Sequence, residues 1–474
     1  MSSIFDNLSN KDKCQKFTPL DMVQKMLDLA GYTTNLTGKR VLENSFGSGN
    51  ILVEVVRRYI QSCINQNMLL EDISKRLAID IYGIEIDNRL YNSCLKRLNQ
   101  LSEEYHIPSV NWHLYNTNAL TWERDVKFDL VIGNPPYITY KDIDLDSRTQ
   151  IRQSFPSCVA GKFDYCYAFI ESAIKSLSAS GKLVQLVPSN IYKNVFAEEL
   201  RMLLKPYISV VLEYPSKNIF AGALTSTSIF LYDKCMQEEY VQYYNITENK
   251  KLQIPRTSLS GKWMFANISP KKKKVVRFGD VFNASIVIAT LLNEAFILTE
   301  EQMYKNRIEQ AILRVAVSPR SLRYNRKEYI IFPYRYQAGQ LERMESEAFS
   351  REFPMTVQYL HGYFEKLKAR KKGVNVQWFE YGRSQAIAHL NQKKLLLSTV
   401  VTNNVELYEL DANTIPYSGI YIISKDEDYD LNDAKRILQS REFLEYVQRV
   451  GISVSGKSIR ITCKDINNFE FVRR

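Results

Sequence analysis

Short apolar runs alternate with segments of helical spacing along the first half of this 474-residue chain. The apolar runs have the length of β-strands, and the segments between them repeat apolar residues every three or four positions. This alternation predicts an α/β fold with a mainly parallel, doubly wound sheet. The clearest strand-like runs are VLENSF, IDIYGIEID, VNWHLY, KFDLVIG and GKLVQLV, and two later runs, ISVVLEYP and STSIFLYDK, are expected to form an antiparallel pair.

The pattern changes near residue 250, where the polar, turn-rich stretch ITENKKLQIPRTSLSGKW interrupts it. Beyond that point, short strand-like runs such as KLLLSTVV are mixed with helical ones such as DAKRILQSREFLEYVQRV. A chain of this length exceeds one ordinary core. We therefore predict two domains, a doubly wound domain at 1–250 and a mixed α+β domain at 251–474.

Composition excludes several classes of protein. No apolar run reaches the roughly 18 residues of a membrane span, and the N-terminus has no apolar signal core, so we expect a cytoplasmic protein without membrane contact. The seven cysteines form no CxxC pair, and the four histidines are not spaced as metal ligands. A disulfide framework and a metal site are therefore not expected.

Charge distinguishes the two halves. Residues 255–474 contain 35 Lys and Arg against 24 Asp and Glu, which accounts for the entire net charge of +11. Such asymmetry is typical of a segment that binds a polyanion. A basic domain without any role in nucleic-acid binding is the alternative.

A glycine-rich turn follows the first strand in VLENSFGSGNILVE. Gly47 and Gly49 allow a ligand to approach the backbone closely, and the helix behind them offers unpaired N–H groups. Glu43 precedes the turn, as an acidic residue does in adenosylmethionine-binding loops. An ordinary strand-to-helix turn with two glycines would show the same pattern.

Glu85 lies at the carboxyl end of the next strand, in YGIEID. A carboxylate at this place can accept both hydroxyl hydrogens of a ribose. A solvated acid after a strand is the alternative for Glu85. Together with the glycine-rich turn, it predicts a site for a ribose-bearing cofactor.

The run VIGNPPYITY ends a further strand in a rigid turn. The lone pair of an exocyclic amine is delocalised, so two acceptors that take its hydrogens would favour a reactive, pyramidal nitrogen. The side chain of Asn134 and the carbonyl of Pro135 are candidates, and Pro135 and Pro136 restrict the backbone before substrate arrives. Tyr137 can stack against a planar base.

These motifs, in this order, resemble the N6-adenine DNA methyltransferases of restriction–modification systems, in the gamma, TaqI-like arrangement. The resemblance implies a Rossmann-like methyltransferase domain, the cofactor S-adenosyl-L-methionine, and a C-terminal domain that recognises a site in double-stranded DNA. It also implies a flipped-out target adenine. A monomer in a bacterial cytoplasm and a cognate restriction endonuclease as functional partner are expected.

The resemblance also assigns site residues. The catalytic set is Asn134, Pro135, Pro136 and Tyr137, with Phe220, from NIFAGALTSTSIFLY, packing on the flipped base. Asn118 stands where the family usually has an aspartate that binds the cofactor's adenine, and its amide oxygen is expected to accept from that amine. The implied cofactor-binding set is Thr18, Glu43, Ser45, Phe46, Gly47, Gly49, Glu85, Ile86, Asn118, Ala119 and Asn134.

The basic runs SPKKKKVVRFGD and EKLKARKKG are candidates for phosphate contacts, and solvated loops are the alternative. Other functions stay open at this point. NPPY would also suit a protein-glutamine methyltransferase or an RNA-adenine methyltransferase, and a catalytically silent DNA-binding subunit is a different class. A fused nuclease is possible in principle, although no nuclease motif is evident.

Overall fold

A computed structural model describes residues 18–123, 125–214, 226–265, 275–337, 339–370, 376–455 and 458–473. The chain divides into two compact units. The first comprises Met1–Ile268 with Ile452–Gly456, and the second comprises Ser269–Gly451 with Lys457–Arg474.

The first unit is built on one sheet, which has nine strands within the described residues. Along the chain these strands are β1 (Val41–Glu43), β2 (Ile81–Ile84), β3 (His113–Tyr115), β4 (Phe128–Gly133), β5 (Leu177–Pro188), β6 (Ile208–Tyr214), β7 (Thr227–Asp233), β8 (Tyr240–Asn245) and β9 (Lys250–Pro255). Their order in the sheet is β3-β2-β1-β4-β5-β7-β6-β8-β9.

The five adjacent strands β3, β2, β1, β4 and β5 are parallel to one another. Strand β7 is antiparallel to both β5 and β6, and β9 is antiparallel to β8. From β1 the strand order runs outward to β2 and β3 on one side, and to β4 and β5 on the other. This change in strand order between β1 and β4 confirms the predicted doubly wound, Rossmann-like α/β fold.

Helices cover both faces of this sheet, and each face has its own apolar core. The helices are α1 (Leu20–Ala30), α2 (Asn50–Asn65), α3 (Leu70–Asp80), α4 (Asn88–Glu104), α5 (Leu145–Ser154), α6 (Cys166–Ser176) and α7 (Glu198–Leu204). One core joins α1, α2, α3 and α4 to the sheet, and the other joins α5, α6 and α7 to the opposite face. Alternate residues of β4 divide between the two cores, with Val131 in one and Ile132 in the other.

The first unit extends beyond the predicted boundary at residue 250. Strand β9 begins at Lys250 and pairs with β8 along its whole length. Past that strand, the buried indole of Trp263 stacks on Tyr192 with ring centroids 6.1 Å apart, and its backbone N–H donates to the Tyr192 carbonyl. These contacts attach the segment as far as Trp263 to the first unit.

The rest of the chain forms smaller sheets and short helices, a mixed α+β arrangement. The strands are β10 (Val275–Arg277), β11 (Phe282–Ile286), β12 (Ile297–Leu298), β13 (Leu313–Val317), β14 (Glu328–Ile331), β15 (Tyr334–Gln337), β16 (Gln340–Arg343), β17 (Lys394–Leu397), β18 (Val400–Val401), β19 (Leu407–Leu410), β20 (Ile415–Pro416), β21 (Ile420–Ser424), β22 (Ile452–Ser455), β23 (Ser458–Arg460) and β24 (Glu470–Val472). The helices are α8 (Phe278–Val281), α9 (Asn293–Phe296), α10 (Glu300–Lys305), α11 (Pro319–Arg323), α12 (Ser346–Glu352), α13 (Pro354–His361), α14 (Phe364–Ala369), α15 (Leu431–Leu438), α16 (Arg441–Val450) and α17 (Cys463–Asn467).

Two four-stranded sheets organise the second unit, in the orders β11-β21-β17-β19 and β12-β14-β13-β20. Strand β17 separates two apolar cores, because Leu396 faces one and Leu395 and Leu397 face the other. The first core includes the stacked pair Phe349 and Phe379, with ring centroids 4.2 Å apart.

Gly83 in β2 is predicted to tolerate no side chain. A Cβ there would lie 2.7 Å from Phe46, 2.8 Å from Leu114 and 2.9 Å from Leu52. We expect Gly83→Ala to lower the free energy of unfolding by about 1–3 kcal/mol, the usual cost of overpacking, as measured by denaturant titration. The double variant Gly83→Ala with Leu114→Ala should lose less stability than the sum of the losses in the two single variants, because the shortened Leu114 side chain makes room for the new methyl group. Full additivity would contradict the steric explanation.

Candidate active site

The predicted motifs meet at one edge of the first sheet. Glu43 ends β1, Glu85 follows β2, and Asn134 follows β4, and these strands are parallel neighbours. Their carboxyl ends therefore lie side by side, where ligands bind in open α/β sheets. The glycine-rich loop with Gly47 and Gly49 connects β1 to α2 at the same edge.

The glycine-rich loop is held by Glu85. The Gly47 N–H donates to Glu85 Oε2 at 2.8 Å, and the Asp87 N–H donates to Oε1 at 2.9 Å. Gly49 has φ of 87° and precedes α2, a conformation that favours glycine. A Cβ on Gly49 would also lie 2.4 Å from the Cys94 sulfur. The loop therefore requires its second glycine for both backbone shape and space.

Three residues that the motif analysis missed also fix this loop. Arg97 in α4 donates to the Ser48 carbonyl at 2.7 Å and to Asn50 Oδ1 at 2.8 Å. The Asn50 amide in turn donates to the Thr18 carbonyl at 3.1 Å. Asn116 donates to the carbonyls of Glu85 and Ile86, at 2.8 and 3.1 Å. All are ordinary polar residues in the sequence, and only the fold reveals their partners.

Two buried carboxyl groups lie at this edge. Burial and the neighbouring Glu85 raise the pKa of Glu43 well above its usual value. Burial also raises the pKa of Glu85, although the N–H groups of Asp87 and Gly47 act in the opposite direction. Within the described residues, Glu43 Oε2 has no hydrogen-bond partner. An acceptor buried in this way is suited to a ligand that brings its own donor.

The other predicted cofactor positions surround the loop. The Phe46 ring is buried, and its backbone N–H donates to the Ile84 carbonyl at 3.1 Å. Ile86 is 38% exposed beside Glu85, and Ala119 is buried. The Ser45 hydroxyl donates to the Asn134 carbonyl at 3.4 Å, so it joins the glycine-rich loop to the NPPY turn.

Asn118 is buried at this edge. Its Oδ1 accepts from the Leu120 N–H at 2.9 Å, and its Nδ2 has no partner among the described residues. The Nδ2 group is therefore available to donate to a ring nitrogen of adenine. The Oδ1 atom keeps a second lone pair for the adenine amine that the sequence analysis expected.

The NPPY turn is anchored on both sides. The Asn134 Nδ2 donates to Thr18 Oγ1 at 3.2 Å, which directs Oδ1 to the opposite side of the amide. Pro135 is buried and Pro136 is half-buried. The Tyr137 hydroxyl donates to the Leu186 carbonyl at 2.9 Å, which holds the ring in place. The sequence analysis placed Thr18 with the cofactor, and the structure places its hydroxyl against the Asn134 amide.

One acid near this turn was not anticipated. Burial raises the pKa of Asp164 to about 6, although the Cys166 N–H, 3.3 Å from Oδ1, opposes the shift. Its charge contributes to the raised pKa of Tyr137, together with burial and Cys166. Phe220, the predicted aromatic partner of a flipped base, lies outside the described residues.

Among the described residues, no group of three or more His, Cys, Asp or Glu is arranged as a metal site. In the same part of the chain, none of the helices is long and apolar enough to cross a membrane.

The strand order and the glycine-rich carboxyl edge are those of a doubly wound α/β protein that binds a ligand at this edge. Residues 51–220 match the family described as Eco57I restriction-modification methylase. The chain is 23% identical to the Type II methyltransferase M.BstVI of Geobacillus stearothermophilus, over 94% of this chain and 87% of that protein. It is 22% identical to the Type II restriction enzyme and methyltransferase RM.Eco57I of Escherichia coli, over 60% of this chain and 33% of that protein.

A solved structure shares the fold over most of the chain. The Type IIL restriction-modification enzyme MmeI, solved in complex with DNA, superposes with a TM-score of 0.65 at 14% identity, covering 95% of this chain and 65% of that one. The predicted resemblance to methyltransferases of restriction–modification systems is confirmed. The family match also confirms S-adenosylmethionine as the cofactor, since it is the methyl donor of such methylases.

The buried Glu43 predicts a pH-dependent stability. Since the pKa of Glu43 is raised above its ordinary value of 4.5, the folded state binds its proton more tightly than the unfolded state. Stability therefore decreases as pH rises above about 4.5. We expect Glu43→Gln to stabilise the ligand-free protein near neutral pH by about 1–3 kcal/mol, in the range of an unmet buried polar group, with the gain vanishing towards pH 4.5.

Thermal denaturation of the ligand-free protein between pH 5 and 8 would measure this difference. Glu104→Gln is the matched control, since Glu104 is 63% exposed and its loss removes the same charge away from the site. If the stability of Glu43→Gln depended on pH in the same way as that of the unchanged protein, ionisation of Glu43 would not destabilise the folded state.

Proposed function

We propose that this protein transfers the methyl group of S-adenosylmethionine to the N6 amine of adenine at a specific site in duplex DNA. The observation that carries the proposal is the anchored NPPY turn beside the glycine-rich loop, with Asn134 held by Thr18 at 3.2 Å. Type II methyltransferases are among the relatives, and MmeI was solved on DNA. We place the protein in the gamma, TaqI-like arrangement, with a cognate restriction endonuclease as its functional partner.

The residues at the carboxyl edge fit the cofactor. S-adenosylmethionine supplies an electrophilic methyl group on a sulfonium centre. Each Glu85 oxygen has a second lone pair that can accept a hydrogen bond from a ribose hydroxyl. The hydrogen bonds from the Gly47 and Asp87 N–H groups are kept at the same time. Glu43 Oε2 accepts from a donor on the ligand, and Asn118 Nδ2 donates to its adenine ring.

The NPPY turn prepares the target amine. The Asn134 side chain and the Pro135 carbonyl accept its two hydrogens, which localises the lone pair on nitrogen. Both acceptors are fixed in advance, by Thr18 and Ser45 on one side and by the proline rings on the other. The nitrogen becomes acidic once it is methylated, and it then loses its proton without a strong base.

A target adenine must leave the duplex before it can reach this turn, at a cost of a few kcal/mol in stacking and pairing. The anchored ring of Tyr137 offsets part of that loss, since stacking on an aromatic contributes about 1–3 kcal/mol per base. We assign duplex binding and site recognition to the second unit, because the excess positive charge lies after residue 255.

We predict that Asn134→Ala abolishes methylation and leaves cofactor binding within about threefold of the unchanged protein. The amide contacts the substrate amine in this proposal, and cofactor binding depends on Glu85 and the glycine-rich loop. Methylation-sensitive sequencing of DNA from cells that express each form would reveal the modified base and its surrounding sequence. Calorimetric titration with S-adenosylmethionine would measure binding.

The outcomes of this experiment separate the alternatives. Methylated adenine in one sequence context, absent with Asn134→Ala, supports the proposal. Unmodified DNA together with methylated protein glutamine or RNA adenine would overturn it in favour of those substrates. Loss of cofactor binding in a folded Asn134→Ala protein would refute the division of roles between the two motifs.

Tyr137 gives a second, graded prediction. Tyr137→Ala should reduce the methylation rate by at least tenfold, because the stacking surface is lost. Tyr137→Phe keeps the ring and loses only the hydrogen bond to the Leu186 carbonyl, so we expect a reduction of a few-fold. Single-turnover kinetics with a duplex that contains the site would measure both. Equal losses in the two variants would contradict the stacking role.

A further inference from the structure

A polar cleft of about 430 Å³ lies entirely within the second unit. We call it the α11 cleft. One wall is formed by Arg320, Arg323 and Tyr324, from α11 and the residue after it, and the opposite side includes Thr402, Asn404 and Ser458. The hydroxyls of Thr402 and Ser458 are 3.3 Å apart and join β18 and β23 at this side. The cleft belongs to none of the motifs that the sequence analysis singled out.

The segment formed by α11 and the residues that follow it, beside the cleft, is strongly basic. Residues 320–327 contain Arg320, Arg323, Arg326 and Lys327 and no acidic residue. All four of these cations are exposed, as is Tyr324, which is 61% exposed. The Arg326 guanidinium lies 5.7 Å from the centre of the Tyr324 ring. A run of exposed cations with an aromatic side chain among them is complementary to a polyanion.

Arg323 differs from its neighbours because a carboxylate orients it. Its Nε and Nη2 donate to Glu406 Oε2, at 3.2 and 2.7 Å. The Tyr408 hydroxyl donates to the same oxygen at 2.9 Å. Arg323 is nevertheless 60% exposed. The pair with Glu406 uses Nε and Nη2, so the edge of the guanidinium formed by Nη1 and Nη2 does not face the carboxylate.

We propose that the α11 cleft reads the DNA site, with Arg323 recognising a guanine and Arg320 and Arg326 contacting phosphates. A planar guanidinium pairs with guanine O6 and N7 through two parallel hydrogen bonds. Glu406 fixes this plane before DNA arrives, so that less side-chain freedom is lost on binding. The inference rests on the proposed function, since it requires duplex DNA as substrate.

The test uses the full chain and its own methylated site. The sequence context is first obtained by methylation-sensitive sequencing with the unchanged protein. Arg323→Lys is then expected to relax the requirement at one G·C pair, with discrimination there falling roughly 5- to 150-fold. Glu406→Gln should relax the same position more weakly, because it frees the guanidinium without removing it. Neither variant should alter the other positions of the site.

The phosphate contacts have a separate readout. In binding titrations across salt concentrations, the double variant Arg320→Gln with Arg326→Gln should reduce the slope of log affinity against log salt by about two, one for each contact. Its methylated sequence should stay unchanged, because phosphate contacts do not carry sequence information directly. The control is Arg441→Gln, which removes an exposed arginine outside the cleft, paired with Glu445, and should change neither the salt slope nor the methylated sequence.

Failure of this inference is distinguishable from failure of the proposed function. If the unchanged protein methylates a defined DNA site and Arg323→Lys methylates that same site with undiminished discrimination, the cleft does not read it. If the unchanged protein methylates no DNA, the proposed function itself is wrong. Thermal denaturation and cofactor titration of each variant confirm folding, and Glu406→Gln still tests the inference if Arg323→Lys does not fold.

Discussion

The hydrogen bonds from the Gly47 and Asp87 backbone to the Glu85 carboxylate are the constraint on which the rest of the site depends. They tie the loop after β1 to the end of β2. The register of the two strands makes this possible, since Glu43 pairs with Gly83, and Glu85 lies two residues beyond Gly83. A shift of one residue would turn Glu85 to the other face of the sheet and release the loop.

The same carboxylate has an energetic consequence. Burial raises the pKa values of both Glu43 and Glu85, and the neighbouring Glu85 further opposes the ionisation of Glu43. A site shaped for a ligand with several donors is therefore less stable when the ligand is absent. Binding stabilises the folded chain by mass action, because the unfolded chain has no such site. The cofactor thus contributes to the stability of the unit that binds it.

The features that could be predicted from the sequence are those encoded in short stretches of the chain. Strand alternation indicated the doubly wound sheet, and YGIEID and NPPY indicated its functional edge. Contacts between distant residues escaped prediction: Thr18 meets Asn134, and Arg97 reaches Ser48, through pairings that only the sheet brings together. The hydrogen bond from the Leu120 N–H to Asn118 Oδ1 is a local contact that the sequence analysis also did not include.

Different residues are suited to binding the cofactor and to binding DNA, because the two units differ in charge and in side-chain geometry. The carboxyl edge of the first sheet contains acids and amides, which suit a cofactor and an amine but provide little attraction for phosphates. The excess of cations lies after residue 255, yet net charge alone draws every duplex equally. Sequence discrimination requires a donor pair with a fixed direction, and a carboxylate that holds a guanidinium provides one. For this reason the Arg323–Glu406 pair, at 2.7 Å, is a stronger candidate for site reading than any of the lysine-rich runs.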